Sequence, residues 1–293
     1  MRRFTLLAAA LSSAFAAAAP AFAQSPAPSA PAKELFGRKA DAAPLKARSI
    51  GFYSKGCLAG GVALPVNGQT WQVMRLSRNR NWGHPDLIAF LERFATKVPK
   101  AAGWNGILVG DLAQPRGGPM LTGHASHQVG LDADIWLTPM PNRTLERQER
   151  ETFPPLLMVR SDRRDIDPKT FTPGHVQVIR TAAEDPEVER IFVNAAIKKA
   201  LCRAAPGAAW QRKVRAYWGH DYHMHVRIRC PKDSPDCKPQ QPVGAEDGCG
   251  KELDWWFRDA ILNPPPPKEK PKPKPPLTMA ELPPSCRDVL LAK

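Results

Sequence analysis

Apolar positions recur at helical spacing between Leu87 and Val98, where Leu87, Ile88, Leu91, Phe94, Ala95 and Val98 form one stripe. Pro85 and Asp86 suit the first turn of that helix, and Pro99 marks its expected end. A second helix is predicted from Thr172-Pro173 to about Glu184, a third over Asn194–Cys202, and a short aromatic one over Leu253–Leu262. Strand signals are the apolar run Gly106–Leu112 and the segments Val188–Val193, Val214–Tyr217 and Tyr222–Arg229. LDADIW alternates, with Leu131, Ala133 and Ile135 on one face and Asp132 and Asp134 on the other. Order is expected from about Ile50, with turns at Gly60-Gly61 and Asn67-Gly68 and an extended stretch over Thr70–Arg80. Asn142–Glu151 is polar and reads as a loop or short helix. Strands and helices do not alternate regularly enough for a doubly wound sheet. The expected fold is therefore α+β: a central, mainly antiparallel sheet with helices packed outside.

The ends of the chain lack this periodicity. Arg2 and Arg3 followed by an apolar, Ala-rich run and an A-x-A motif at Ala21-Phe22-Ala23 read as a cleavable signal peptide over 1–23. Residues 24–46 are Ala/Pro-rich and are expected to form a flexible lead-in, followed by a folded body over 47–262. Residues 263–276, NPPPPKEKPKPKPP, form a basic polyproline linker, and 277–293 a C-terminal segment tied back by Cys286. No later run approaches the roughly 20 apolar residues of a transmembrane anchor. All 6 cysteines follow the signal peptide, and an even number in an exported chain points to disulfides, with fifteen pairings open. A CxxC pair, the mark of a cysteine zinc knot, is missing. The net charge of +14 favours anionic surfaces such as cell-wall polymers, while export and the lack of a DNA- or RNA-binding motif argue against nucleic acid.

Candidate chemistry concentrates in two windows. Gly123–Trp136, GHASHQVGLDADIW, holds His124, His127 and, past a turn at Gly130, Asp134. Tyr217–Cys230, YWGHDYHMHVRIRC, holds His220, His223 and His225, the last two on one face of a strand. Five of the chain's 7 histidines thus lie in two short segments. Zinc takes three or four N, O or S donors, and a catalytic site keeps one position open. His-turn-Asp followed by a distant His-x-His supplies such a set. His84 is read as a helix cap or packing residue. Arg116, in the PRGGP loop, reads equally as a clamp for a substrate carboxylate, because a guanidinium binds carboxylates bidentately, and as an arginine that structures its loop. Trp255 and Trp256 read either as a groove wall for sugar or peptide or as a core plug, with the plug preferred.

The segments GDLAQPRGGPMLTGHASHQVGLDADIW and HDYHMHVRIRCP closely resemble the penicillin-insensitive murein endopeptidases, zinc peptidases grouped with lysostaphin and the D-Ala-D-Ala metallopeptidases. RNRNWGHPDLIAFLERF and RIFVNAAIKKALC are similar to the same family, so the resemblance spans about Cys57 to Cys286. It implies a periplasmic enzyme cutting the amide between D-alanine and the side-chain amine of meso-diaminopimelate in peptidoglycan, and a homodimer. It also implies the pairings Cys230–Cys237, Cys202–Cys249 and Cys57–Cys286. Some relatives bind a further metal through an Asp and a His in the region of SDRRDID. Here that spacing gives Asp162 and Asp165 without a histidine, and a solvated charged loop is preferred.

His127, Asp134 and His225 are assigned as zinc ligands, with His223 as the general base. His220 and His124 are next in line, either of them to order His223, stabilise the oxyanion or add a metal ligand. HExxH is absent, which excludes the helix-borne zincin site, and so is SxxK, the motif of serine penicillin-binding enzymes. Two rival readings stay open: a metallocarboxypeptidase acting on stem peptides, and a non-catalytic wall-binding zinc protein.

Overall fold

The computed structural model describes residues 27–267, 269 and 273–293. The expected signal peptide lies outside the described residues, as do 268 and 270–272 of the polyproline stretch. In chain order, α1 (Ala32–Phe36) precedes a hairpin of β1 (Arg48–Phe52) and β2 (Lys55–Ala59). Next come the short strands β3 (Val62–Ala63), β4 (Asn67–Gly68), β5 (Trp71–Val73) and β6 (Trp82–Gly83), then α2 (Pro85–Ala102). β7 (Ile107–Val109) and β8 (Asp132–Trp136) are followed by α3 (Arg147–Thr152), α4 (Pro173–Glu184), β9 (Val188–Val193) and α5 (Ala195–Ala204). The chain continues through β10 (Val214–Ala216), β11 (His223–Ile228), α6 (Lys251–Trp256), α7 (Asp259–Leu262) and α8 (Ser285–Leu291).

The main sheet has seven strands in the order β10-β9-β11-β8-β7-β5-β4. Its centre is antiparallel, but β9/β10 and β5/β7 pair in parallel. The sheet is mixed, which corrects the expected mainly antiparallel one. The reason is local: α5 directly after β9, and β6 with α2 after β5, return the chain as crossovers, and a crossover is what a parallel neighbour needs.

The pleat divides the sheet into two faces. Ala133 and Ile135 of β8, Ile191 and Val193 of β9, and Met224 and Val226 of β11 join the main core with Leu91 and Phe94 of α2, Ile179 of α4 and Leu201 of α5. The alternate residues of the same strands face away from those helices and carry polar chemistry. α2 buries its predicted stripe and Phe90, but it continues past Pro99 to Ala102. Proline is tolerated there because it sits in the last turn, which Gly103 ends in a left-handed conformation with its N–H bonded to the Pro99 carbonyl.

A second, smaller core joins the two ends of the described chain. Ala32 and Phe36 of α1 pack with Ile50, Cys57, Leu282, Cys286, Val289 and Leu290. The Ala/Pro-rich segment expected to be a flexible lead-in is therefore docked in its described part, because its few apolar residues have a dedicated pocket. All three disulfides have the pairing that the resemblance implied: Cys57–Cys286, Cys202–Cys249 and Cys230–Cys237. Among the described residues, no helix is long and apolar enough to cross a membrane.

Candidate metal centre and active site

β8 and β11 lie side by side, and their register sets the site. His225 pairs with Asp134, Arg227 with Asp132, and His223 with Trp136. Residues two apart share a face, so two carboxylates of one strand meet two histidines and an arginine of the other. Asp134 Oδ1 lies 3.2 Å from His225 Nδ1 and 3.7 Å from His223 Nε2.

The loop before β8 adds two more histidines. His127 is wholly buried and holds a left-handed backbone at φ 67°. That conformation is costly for a residue with a side chain and is concentrated at functional sites. The His127 backbone N–H donates to Asp132 Oδ2 at 3.2 Å, and its Nε2 stands 3.4 Å from Asp134 Oδ1. Gly130 closes the turn at φ 72°, where a Cβ would meet Leu58 Cδ2 at 2.7 Å and the His84 backbone nitrogen at 3.0 Å. Only glycine fits that approach. His124 donates from Nε2 to Asp111 Oδ2 at 3.0 Å and also lies 3.5 Å from Asp134 Oδ2.

Donor atoms of His124, His127 and Asp134 all come within 4.8 Å of one another, a group that could hold a metal ion. A second observation fits one. Both ring nitrogens of His127, Oδ1 of Asp134 and Nδ1 of His223 are buried without a hydrogen-bond partner. Buried polar atoms are nearly always satisfied, so several orphans around one carboxylate mark a place for an absent partner. Imidazole nitrogen and carboxylate oxygen are donors suited to zinc.

Electrostatics distinguish the rings. Burial works against protonation of His225, but the hydrogen bond and charge of Asp132, then those of Asp134, raise it to about 9. Burial lowers His223 to about 4 in spite of Asp134. It also lowers His127. Burial opposes ionisation of Asp134, yet the surrounding histidines, His223 and His127 foremost, hold it well below the usual carboxylate range.

His220 lies on the loop between β10 and β11, also left-handed at φ 54°. Its Nδ1 is 2.7 Å from the Trp218 carbonyl, which requires Nδ1–H and leaves Nε2 as the acceptor. His220 lines a cavity of about 300 Å³ with His124, His225, Tyr53, Phe192 and Arg227. The Arg227 guanidinium lies over the Tyr53 ring, 3.5 Å from its centroid, while its Nε donates to Asp132 Oδ1 at 2.6 Å.

The structure thus brings together His124, His127, Asp134, His220, His223 and His225, all named from sequence. Asp132, placed there only on a strand face, and Asp111 and Arg227 were given no role. Asp132 had a readable signal, since it shares a strand face with Asp134; Asp111 had only its place as an acid ending an apolar run. His84 caps α2, its Nδ1 accepting from the Asp86 backbone N–H at 3.2 Å.

The contacts of Arg116 and of the acidic loop fit a loop-structuring arginine and a solvated charged loop. Arg116 is buried and donates through Nη1 to the carbonyls of Val289, Leu290 and Ala292, and through Nε to that of Asp41. It closes the end of α8 and has no guanidinium fork to offer a substrate. Asp162 pairs with Arg160, whereas Asp165 takes a bidentate contact from Arg203. Both carboxylates are thus engaged by arginines, as in a solvated charged loop. Trp255 is 39% exposed and so plugs no core.

Residues 49–291 match the family described as penicillin-insensitive murein endopeptidase. A protein of that name from Haemophilus influenzae is 47% identical over 217 residues, covering 72% of this chain and 74% of the relative. Relatives of the same name from Pectobacterium atrosepticum and Klebsiella pneumoniae are 43% and 44% identical, each over 83% of this chain and 84% and 86% of their own lengths.

Proposed function

The chain belongs to the penicillin-insensitive murein endopeptidase family, and from that premise we propose that it is a zinc-dependent endopeptidase of the periplasm. Its substrate is the amide joining D-alanine to the side-chain amine of meso-diaminopimelate in cross-linked peptidoglycan. The observation that carries the zinc reading is the set of orphaned buried atoms on His127 and Asp134. His127, Asp134 and His225 would hold the ion, with His124 beside them. Zinc bound there would supply Lewis-acid polarisation of a carbonyl and acidify water.

The chain's own residues do the rest. Asp132 accepts from His225 Nε2 at 2.8 Å and so turns Nδ1 towards the centre. His223, kept neutral by burial, is the base that takes a proton from the attacking water and returns one to the leaving amine. His220, which lines the cavity with His124 and His225, packs against His223 and orders it, their ring centroids being 4.7 Å apart. The chain has no SxxK serine, so a β-lactam finds no nucleophile to acylate. Three disulfides and no free cysteine among the described residues suit an oxidising compartment.

The test is chromatography of muropeptide dimers after incubation with the purified protein, with chelator, with zinc restored, and with a penicillin. Dimers should become monomers, stop doing so on chelation, resume with zinc and ignore penicillin. Release of a terminal D-alanine alone would make the protein a carboxypeptidase, and bound zinc without cleavage a wall-binding protein.

A further inference from the structure

The loop that carries His220 also carries Tyr217 and Trp218, which are 50% and 55% exposed. Large aromatic surface left open on a folded chain marks a contact site. The Trp218 ring meets Trp256 at 4.8 Å and Trp255 at 6.3 Å, both close to edge-on, so the indoles form an angled wall. Beside that wall lies a second cavity of about 310 Å³, bounded by Tyr217, Trp218, Trp256, Asn194, Ser161 and Asp221. Tyr217 lines this cavity and also the one holding His124, His220 and His225. The two spaces therefore adjoin across one side chain.

The wall is held in place before any ligand arrives. The Tyr217 N–H donates to the Val193 carbonyl at 2.9 Å, and Asn194 donates to the carbonyls of His220 and Gly219 at 3.0 and 2.9 Å. On the other side, Cys202–Cys249 and a 2.8 Å ion pair between Arg215 and Glu252 tie down the start of α6. Such fixing lowers the entropy lost on binding.

We propose that this aromatic groove is a subsite for the glycan of the substrate: an N-acetylated amino-sugar ring stacks on Trp218 and Trp256 while the peptide cross-link occupies the histidine cavity. The inference rests on the murein endopeptidase reading and adds a sugar contact to it. A pyranose offers an apolar C–H face to indole and a polar edge to Ser161 and Asp221. A stem-peptide carboxylate would instead want a free cation, and the arginines of the groove are engaged. Arg160 pairs with Asp162, and Arg163 donates to the Leu262 carbonyl.

The experiment compares disaccharide-bearing muropeptide dimers with the same dimers freed of sugar, using wild type, Trp218→Ala and Trp218→Phe. Wild type should show a KM lower by about three- to tenfold for the sugar-bearing dimer, the size of one aromatic contact. Trp218→Ala should abolish that difference, and Trp218→Phe should retain most of it. Trp256→Leu provides a second variant with the same expected loss. Titration with an N-acetylglucosamine tetramer, followed by indole fluorescence, should saturate for wild type and not for Trp218→Ala. Equal KM values in wild type, or an unchanged ratio in both alanine and leucine variants, would overturn the subsite. If wild type cleaves neither dimer, the enzymatic reading fails, and the titration alone decides the groove: no saturable change overturns it.

Discussion

Asp132 Oδ1 accepts a hydrogen bond from His225 Nε2 at 2.8 Å, and this contact decides which nitrogen His225 turns towards Asp134. The same carboxylate accepts from Arg227 Nε and from the His127 backbone N–H, so one buried acid positions two of the three proposed ligands. Carboxylate partners of ligating histidines typically change metal affinity about 10- to 100-fold when removed. Asp132→Asn should weaken zinc binding by that factor in a competition titration against a chromogenic chelator. It should also lower the melting temperature, because Arg227 would keep its charge in a buried place without its partner. Unchanged affinity would remove Asp132 from the metal's surroundings.

His225→Ala and Asp134→Ala are expected to lose both zinc and turnover, whereas His223→Ala should keep zinc and lose turnover. The distinction follows from position. His225 Nδ1 is 3.2 Å from Asp134 Oδ1, while His223 stands 3.7 Å away on the side of His220. Metal content measured on the purified variants, beside cleavage of muropeptide dimers, separates the roles. Zinc missing from His223→Ala would make it a ligand, and a fully active Asp134→Ala would undo the assignment.

The donor residues were legible because strand alternation is a local rule: Asp134 and His225 each announce a face within a few residues of sequence. Their pairing was not, since it depends on the register between strands some 90 residues apart, as the 93-residue separation of Asp132 and His225 shows. Sheet type failed for a related reason. The pattern identified α2 and α5, but only their packing makes them crossovers between parallel strands. Phe36 lay in a stretch whose composition resembled a spacer, and its pocket is completed by Leu282, Cys286, Val289 and Leu290, near the opposite end of the chain. The choice between clamp and loop-structuring arginine for Arg116 was hidden on the same ground, for its acceptors at the end of α8 lie 173 to 176 positions away.

That last case can be checked directly. Arg116→Ala should cost stability and leave substrate affinity alone. It strips three carbonyls at the end of α8 of their donor, and each unsatisfied buried polar group costs about 1–3 kcal/mol. Thermal melts should show the loss, while KM for muropeptide dimers stays at the wild-type value below the melting range. A raised KM with an unchanged melting temperature would restore Arg116 as a substrate clamp.

Cys57–Cys286 joins positions 229 residues apart and ties α8 to the β1–β2 hairpin within the smaller core. The metal strands β8 and β11 are backed by the separate, larger core. Replacing both cysteines by alanine should therefore destabilise the protein by about 2–5 kcal/mol and loosen α1 and α8 first. Limited proteolysis should then trim the C-terminal segment while zinc content and dimer cleavage persist at low temperature. Loss of zinc in parallel with that trimming would mean that the two cores unfold as one unit.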